Sequence, residues 1–279
     1  MNVLPSEKRA QILGCLVEGC SMRSTQRMTG VAKKTVERLL IAAGQACTKA
    51  HDKLVRNVKS EQIQLDEIWA FVGAKQTHVP PAQQNKGARG DVWTWSAIDA
   101  DSKLIVSWYT GTREEVSAHF FLTDLRDRLA HRPQISADGL QIYPSAIESV
   151  FGSDIDFGQI IKIFEHKPSG KYSPPSCIGT MKKAVIGEPD EKKTSTSFVE
   201  RQNMTLRMSN RRFTRLTNAF SKSVDNHEHS LAIHFMHYNF CRIHQTLRVT
   251  PAMEAGVSDH VWSLEEMVGL IHSQIEKAA

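Results

Sequence analysis

Residues 63–72, IQLDEIWAFV, decide the fold. From Glu61 onward the chain turns into short apolar runs separated by turn residues, the pattern of strands, and this run is the first of them. Asp66 sits inside it, between Leu65 and Ile68, where an ionised carboxylate is costly unless a cation or hydrogen-bond donors neutralise it.

Working outward, residues 91–99 (DVWTWSAID) and 103–111 (KLIVSWYTG) read as a second and a third strand, with Gly, Asn, Asp and Ser at the joints as hairpins require. Thr112 followed by Glu115 resembles a capping box, and residues 116–129 continue as an amphipathic helix. Residues 133–138 (PQISAD) predict a short fourth strand, 145–151 a helix, and 157–166 (FGQIIKIFEH) a fifth strand. A crossover of that length returns the fourth strand parallel to one already laid down. The expected class is α/β: a ribonuclease-H-like mixed five-stranded sheet with flanking helices, preceded by an all-α helix-turn-helix domain. Asp138 ends the fourth strand, so if the first and fourth strands are neighbours it meets Asp66 at one sheet edge. Two hard oxygen donors facing a cleft suit Mg²⁺ and leave positions for phosphate and water. Asp99, ending the second strand, looks as good locally, although a hairpin strand of this kind does not normally carry the metal.

Residues 167–195 are rich in Lys, Pro, Ser and Gly and read as a long irregular loop. A helix is expected over 194–216, TSTSFVERQNMTLRMSNRRFTRL, with Glu200 in its first turns, where a carboxylate can reach down onto the sheet. Arg201, Arg207, Arg211, Arg212 and Arg215 follow, dense enough for a phosphate-gripping surface.

The amino-terminal 60 residues are helical in pattern. Ser6–Glu18 reads as a helix capped by Ser6. A short helix to about Thr29, a turn at Gly30 and a second helix from about Lys33 to Ala43 give a helix-turn-helix layout, its small core closed by Met28, Val31, Val36, Leu39 and Leu40. Lys33, Lys34, Thr35 and Arg38 then fall on or near the face that a major-groove reader presents.

Charge supports that division. The chain has a net charge of +5, but residues 1–60 carry 11 Lys/Arg against 4 Asp/Glu and residues 167–222 carry 12 against 4, while 61–166 carry 9 against 15. Two basic blocks around an acidic middle suit a polyanion gripped by the blocks while central carboxylates do other work. Five scattered cysteines with no C-x-x-C pair support neither a disulfide framework nor a zinc ribbon. With no long apolar run and no secretory pattern at the start, a cytoplasmic, nucleoid-associated prokaryotic protein is expected, with no membrane partner.

Four blocks in order, QLDEIWAFVGAK (64–75), WTWSAIDADSKLIVSW (93–108), ADGLQIY (137–143) and FVERQNMTLRMSNRRFTRLTNAFSKS (198–223), resemble the DDE transposases of the insertion-sequence-one family. The resemblance covers residues 61 to about 240. It implies that Asp66, Asp138 and Glu200 are the catalytic, metal-binding acids, that two Mg²⁺ ions are the cofactors with Mn²⁺ able to substitute, and that the chain cuts at transposon ends and joins them to target DNA. The implied partners are double-stranded DNA, both terminal inverted repeats and target, and further copies of the chain assembled on it. The domains expected are 1–60 (helix-turn-helix), 61–245 (catalytic) and 246–279 (helical tail). The residues themselves leave two other readings open: a nuclease of the same fold that cuts without joining, and a helix-turn-helix regulator with a decayed catalytic domain. The histidines of 227–244 are expected to pack rather than bind zinc, since no cysteine or acid cluster completes four ligands.

Overall fold

The computed structural model describes residues 4–81, 89–165 and 176–275. It is a mixed α/β protein whose six-stranded sheet runs in the order β3-β2-β1-β4-β5-β6, with helices flanking it. The strands are β1 (Gln62–Val72), β2 (Gly90–Asp99), β3 (Ile105–Gly111), β4 (Gln134–Asp138), β5 (Phe157–Glu165) and β6 (Ser176–Ile186). β4 lies parallel to both neighbours, pairing Gln62 with Gln134 on β1 and Asp138 with Ile160 on β5. The parallel return of the fourth strand is present, but the sheet has six strands rather than the expected five.

The sixth strand corrects the expected loop over 167–195. Residues 176–186 pair antiparallel along β5, whereas 167–175 lie outside the described residues. β6 is exposed along most of its length, so backbone pairing rather than burial holds it, and no alternation marks it in the sequence. Lys182 and Lys183 on this edge discourage a further strand from adding.

By their internal contacts the residues form two compact units: Asn57–Glu67 with Trp95–Arg201, and Met1–Arg56 with Ile68–Thr94 and Gln202–Ala279. In the first, α4 (Glu115–Arg128) and α5 (Tyr143–Phe151) supply buried Phe121, Leu122, Leu125 and Tyr143. Trp95 packs edge-on to Tyr143, with ring centroids 5.7 Å apart, and donates its indole N–H to the Thr112 carbonyl at 3.1 Å. The expected capping box is absent: Glu114 is the cap residue of α4, and the Thr112 hydroxyl donates to its carboxylate at 2.9 Å.

In the second unit, α1 (Ser6–Val17), α2 (Met22–Thr29) and α3 (Lys33–Leu54) correspond to the amino-terminal helices. Pro5, not Ser6, occupies the cap of α1, and Ser21 caps α2 by accepting from the Ser24 N–H. Gly30 takes the left-handed backbone of the turn, at φ 70°. Met28 is exposed rather than in the core, whereas Val36, Leu39 and Leu40 are buried. α3 runs eleven residues past Ala43 because Gly44 is a crossing point rather than a helix end: a Cβ there would stand 2.4 Å from the His229 Cβ on α7 (Val224–Met236).

The helix expected over 194–216 is shorter, α6 (Ser197–Ser209). Asn210 leaves helical geometry and turns its side chain back to accept from the Arg212 N–H, so Arg211, Arg212 and Arg215 lie beyond the helix. α8 (Pro251–Glu254) and α9 (Leu264–Ile275) follow, and residues 276–279 of the expected helical tail lie outside the described residues. Among the described residues, no helix is long and apolar enough to cross a membrane.

Candidate metal centre

Adjacent parallel strands bring Asp66 of β1 and Asp138 of β4 together. One carboxylate oxygen from each of Asp66, Glu67 and Asp138 lies within 4.8 Å of the other two. Asp66 accepts from the Glu67 N–H at 2.9 Å, and Asp138 accepts from the Leu140 N–H at 3.0 Å. Both are partly exposed and able to meet a ligand.

Glu67 is the member that the sequence reading passed over. Its side chain is only 1% exposed, and both oxygens are engaged: Arg113 donates Nε–H to Oε1 at 2.8 Å, and Tyr143 donates its hydroxyl to Oε2 at 3.1 Å. Burial first, then the charges of Asp138 and Asp66, push its pKa up to about 7 against the pull of Arg113. Neighbouring residues on a strand point to opposite faces, so an acid beside Asp66 gave no reason to expect a shared site. The available signal was the pair of adjacent acids within an apolar run.

Glu200 lies outside that group of three. Its helix begins over β1, because the buried Gln64 side chain accepts from the Phe198 and Val199 N–H groups at 2.8 and 3.3 Å, and Val199 is buried beneath. The Glu200 carboxylate accepts from the Thr196 hydroxyl at 2.6 Å and pairs with Lys162 of β5 at 2.7 Å. Burial opposes the charge on Lys162, but Glu200, then Asp66 and Asp138, hold its pKa above the usual lysine value. Lys162 therefore links the field of the two aspartates to Glu200.

Asp99, the local rival of Asp66, is a turn anchor. It is buried, accepting from the Ser60 hydroxyl at 2.6 Å and the Ser102 N–H at 2.9 Å, and it steadies the turn from β2 to β3. The expected nucleic-acid contacts have several settings. Lys33, Lys34 and Arg38 are exposed, with Thr35 half-buried, in the first turns of α3. Arg201 is exposed, and Arg207 and Arg211 are half-buried. Arg212 is held inward, donating to Ser221 Oγ at 3.3 Å, and burial lowers its pKa to about 10. His227 and His234 are buried.

The carboxylate cluster has the chemistry of a divalent-cation site. Its donors are all hard oxygens, and mutual repulsion contributes to the raised Glu67 pKa, a strain that a cation would relieve. No protein-family profile and no curated protein matches the chain. Among solved structures, a chain from the cryo-EM structure of a piggyBac transposase synaptic complex with hairpin DNA is similar at a TM-score of 0.42 and 9% identity, over 99% of this chain and 74% of that one.

Proposed function

We propose that this chain is a DNA transposase of the DDE type, akin to the insertion-sequence-one family, that cleaves at transposon ends and joins them to target DNA. The observation that carries the reading is the convergence of the Asp66, Glu67 and Asp138 carboxylates within 4.8 Å. Asp66 and Asp138 would be metal ligands, with Glu200 the third ligand from α6. Glu67, already engaged by Arg113 and Tyr143, sets the charge behind them. Two Mg²⁺ ions, or Mn²⁺ in their place, would supply Lewis-acid activation of water and of the phosphodiester. Lys162, paired with Glu200, would release it when a cation or DNA competes for the pair.

Recognition of the ends is assigned to the helix-turn-helix. Two lysines in the first turn of α3 oppose the helix dipole, and Ala32 at its cap offers no side-chain acceptor. Both features favour an approaching phosphate. Lys33, Lys34, Thr35 and Arg38 would contact the terminal repeat, and Arg201, Arg207 and Arg211 would form a second basic surface. Assembly of several copies on paired ends belongs to the same reading, as does action on DNA in a prokaryotic nucleoid.

The test is a nicking and joining assay on DNA carrying the element's terminal repeats, with and without Mg²⁺. Asp66→Ala is expected to abolish cleavage while leaving gel-shift binding nearly intact, and Arg38→Ala to weaken end binding. Undiminished nicking by Asp66→Ala would defeat the assignment. Cleavage without joined product would mark a nuclease of the same fold.

A further inference from the structure

Trp69 and Phe71 stand two residues apart on β1, so they share a face of the strand, and both are partly exposed while Ile68, Ala70 and Val72 are buried. Phe220 continues the row: ring centroids lie 5.6 Å apart for Trp69–Phe71 and 4.6 Å for Phe71–Phe220. These rings line a cavity of about 150 Å³ together with Lys75, Arg207, Arg212 and Arg215, and no acid is among its described lining residues. Lys75 Nζ sits 5.9 Å from the Trp69 ring centre and Lys222 Nζ 3.0 Å from that of Phe220.

We infer that this cavity is a stacking site for one unpaired nucleobase of single-stranded DNA. The assignment rests on the reading of the chain as a DNA-acting enzyme. An apolar ligand has no use for four cations, and an inorganic anion has no use for a row of rings, whereas a nucleotide uses both. Sites for whole small-molecule ligands run to roughly 300–1,000 Å³, so the smaller volume here suits one planar ring system. Bases within a duplex are covered by their neighbours, so the base that reaches these rings is unpaired. At the rim, Leu216 is fully exposed and holds a left-handed backbone at φ 57°, presenting an apolar side chain that a stacked base would cover.

Full-length protein without metal would be titrated into a short single-stranded DNA in which one thymine is replaced by 2-aminopurine, whose fluorescence falls on stacking. A blunt duplex of the same sequence serves as competitor. Quenching is expected, with Trp69→Leu and Phe220→Leu each weakening single-strand binding roughly ten-fold, the effect of losing one base–aromatic stack, and leaving duplex binding unchanged. Trp69→Phe and Phe220→Tyr keep a ring and are expected to keep the quenching, which separates lost stacking from misfolding. Absence of quenching, equal binding by the leucine variants, or equal loss in the ring-keeping variants would overturn the site. Duplex binding without single-strand binding removes this site and leaves the transposase reading standing, whereas binding of neither removes both.

Discussion

Lys162 and Glu200 meet as an ion pair, Nζ to Oε1 at 2.7 Å, and the same lysine lies in the field of Asp66 and Asp138. A lysine so placed competes with any divalent cation for the acids around it. Replacing it by Met is expected to tighten Mn²⁺ binding two- to five-fold, about 0.4–1 kcal/mol, a modest gain because both partners are more than a third exposed to solvent. Isothermal titration of the two proteins measures this, and weaker binding by Lys162→Met would show that the lysine supports the site instead.

Asp138 is the largest charge raising the Glu67 pKa, so the folded chain bears its repulsion whenever no cation is present. Asp138→Asn removes that charge while keeping the shape. In EDTA the variant is expected to melt about 2 °C higher than the wild type, and to lose the further rise that Mg²⁺ gives the wild type. Thermal melting of both proteins with EDTA and with Mg²⁺ checks both parts. A variant that melts lower in EDTA would mean that Asp138 stabilises the fold through its contact with Leu140.

The Glu67 side chain is buried and its Arg113 partner is 40% exposed, so loss of the arginine strands the acid, whereas loss of the acid frees a side chain that water can reach. Arg113→Ala is expected to cost about 2 kcal/mol near pH 8, and adding Glu67→Gln to restore most of it. Urea denaturation of the two single variants and the double variant gives the coupling. Additive effects would argue that Tyr143 alone satisfies Glu67.

What the sequence disclosed and withheld follows from what each element depends on. β1 to β5 are legible because burial selects their apolar residues, and the parallel return of β4 follows from the length of the crossover. β6 is hidden because it is exposed and its partner's backbone holds it. The extent of α3 depends on a distant crossing: Gly44 looks like a stop until His229 is found packed against it. Asp66 and Asp138 could be picked out as acids that neighbouring strands bring together, and Asp99 could be set aside only once Ser60 and Ser102 were seen to hold it. Glu67 escaped because strand alternation argues against two adjacent acids sharing a site.

His227 and His234 are neutral, buried bases. The Ser221 hydroxyl lies 2.8 Å from His227 Nδ1, and His234 packs edge-on against Phe235, with ring centroids 5.4 Å apart. Burial is the main cause that lowers both pKa values to about 3, with Arg212 adding to it for His227 and His237 for His234. Above the ordinary histidine pKa of 6.5 the folded and unfolded chains both hold these rings neutral, and their contribution to stability does not vary with pH. Below it the unfolded chain takes up a proton that the fold refuses, so stability is lost as pH falls from 6.5 toward 3. By pH 4.5 the loss is expected to reach about 3 kcal/mol for each histidine. Urea unfolding of His234→Gln at pH 7.5 and pH 4.5 tests this whatever the variant's absolute stability: the difference between the two conditions is expected to shrink by about 3 kcal/mol relative to the wild type. An unchanged difference would mean that His234 gains its proton in the folded chain as readily as in the unfolded one.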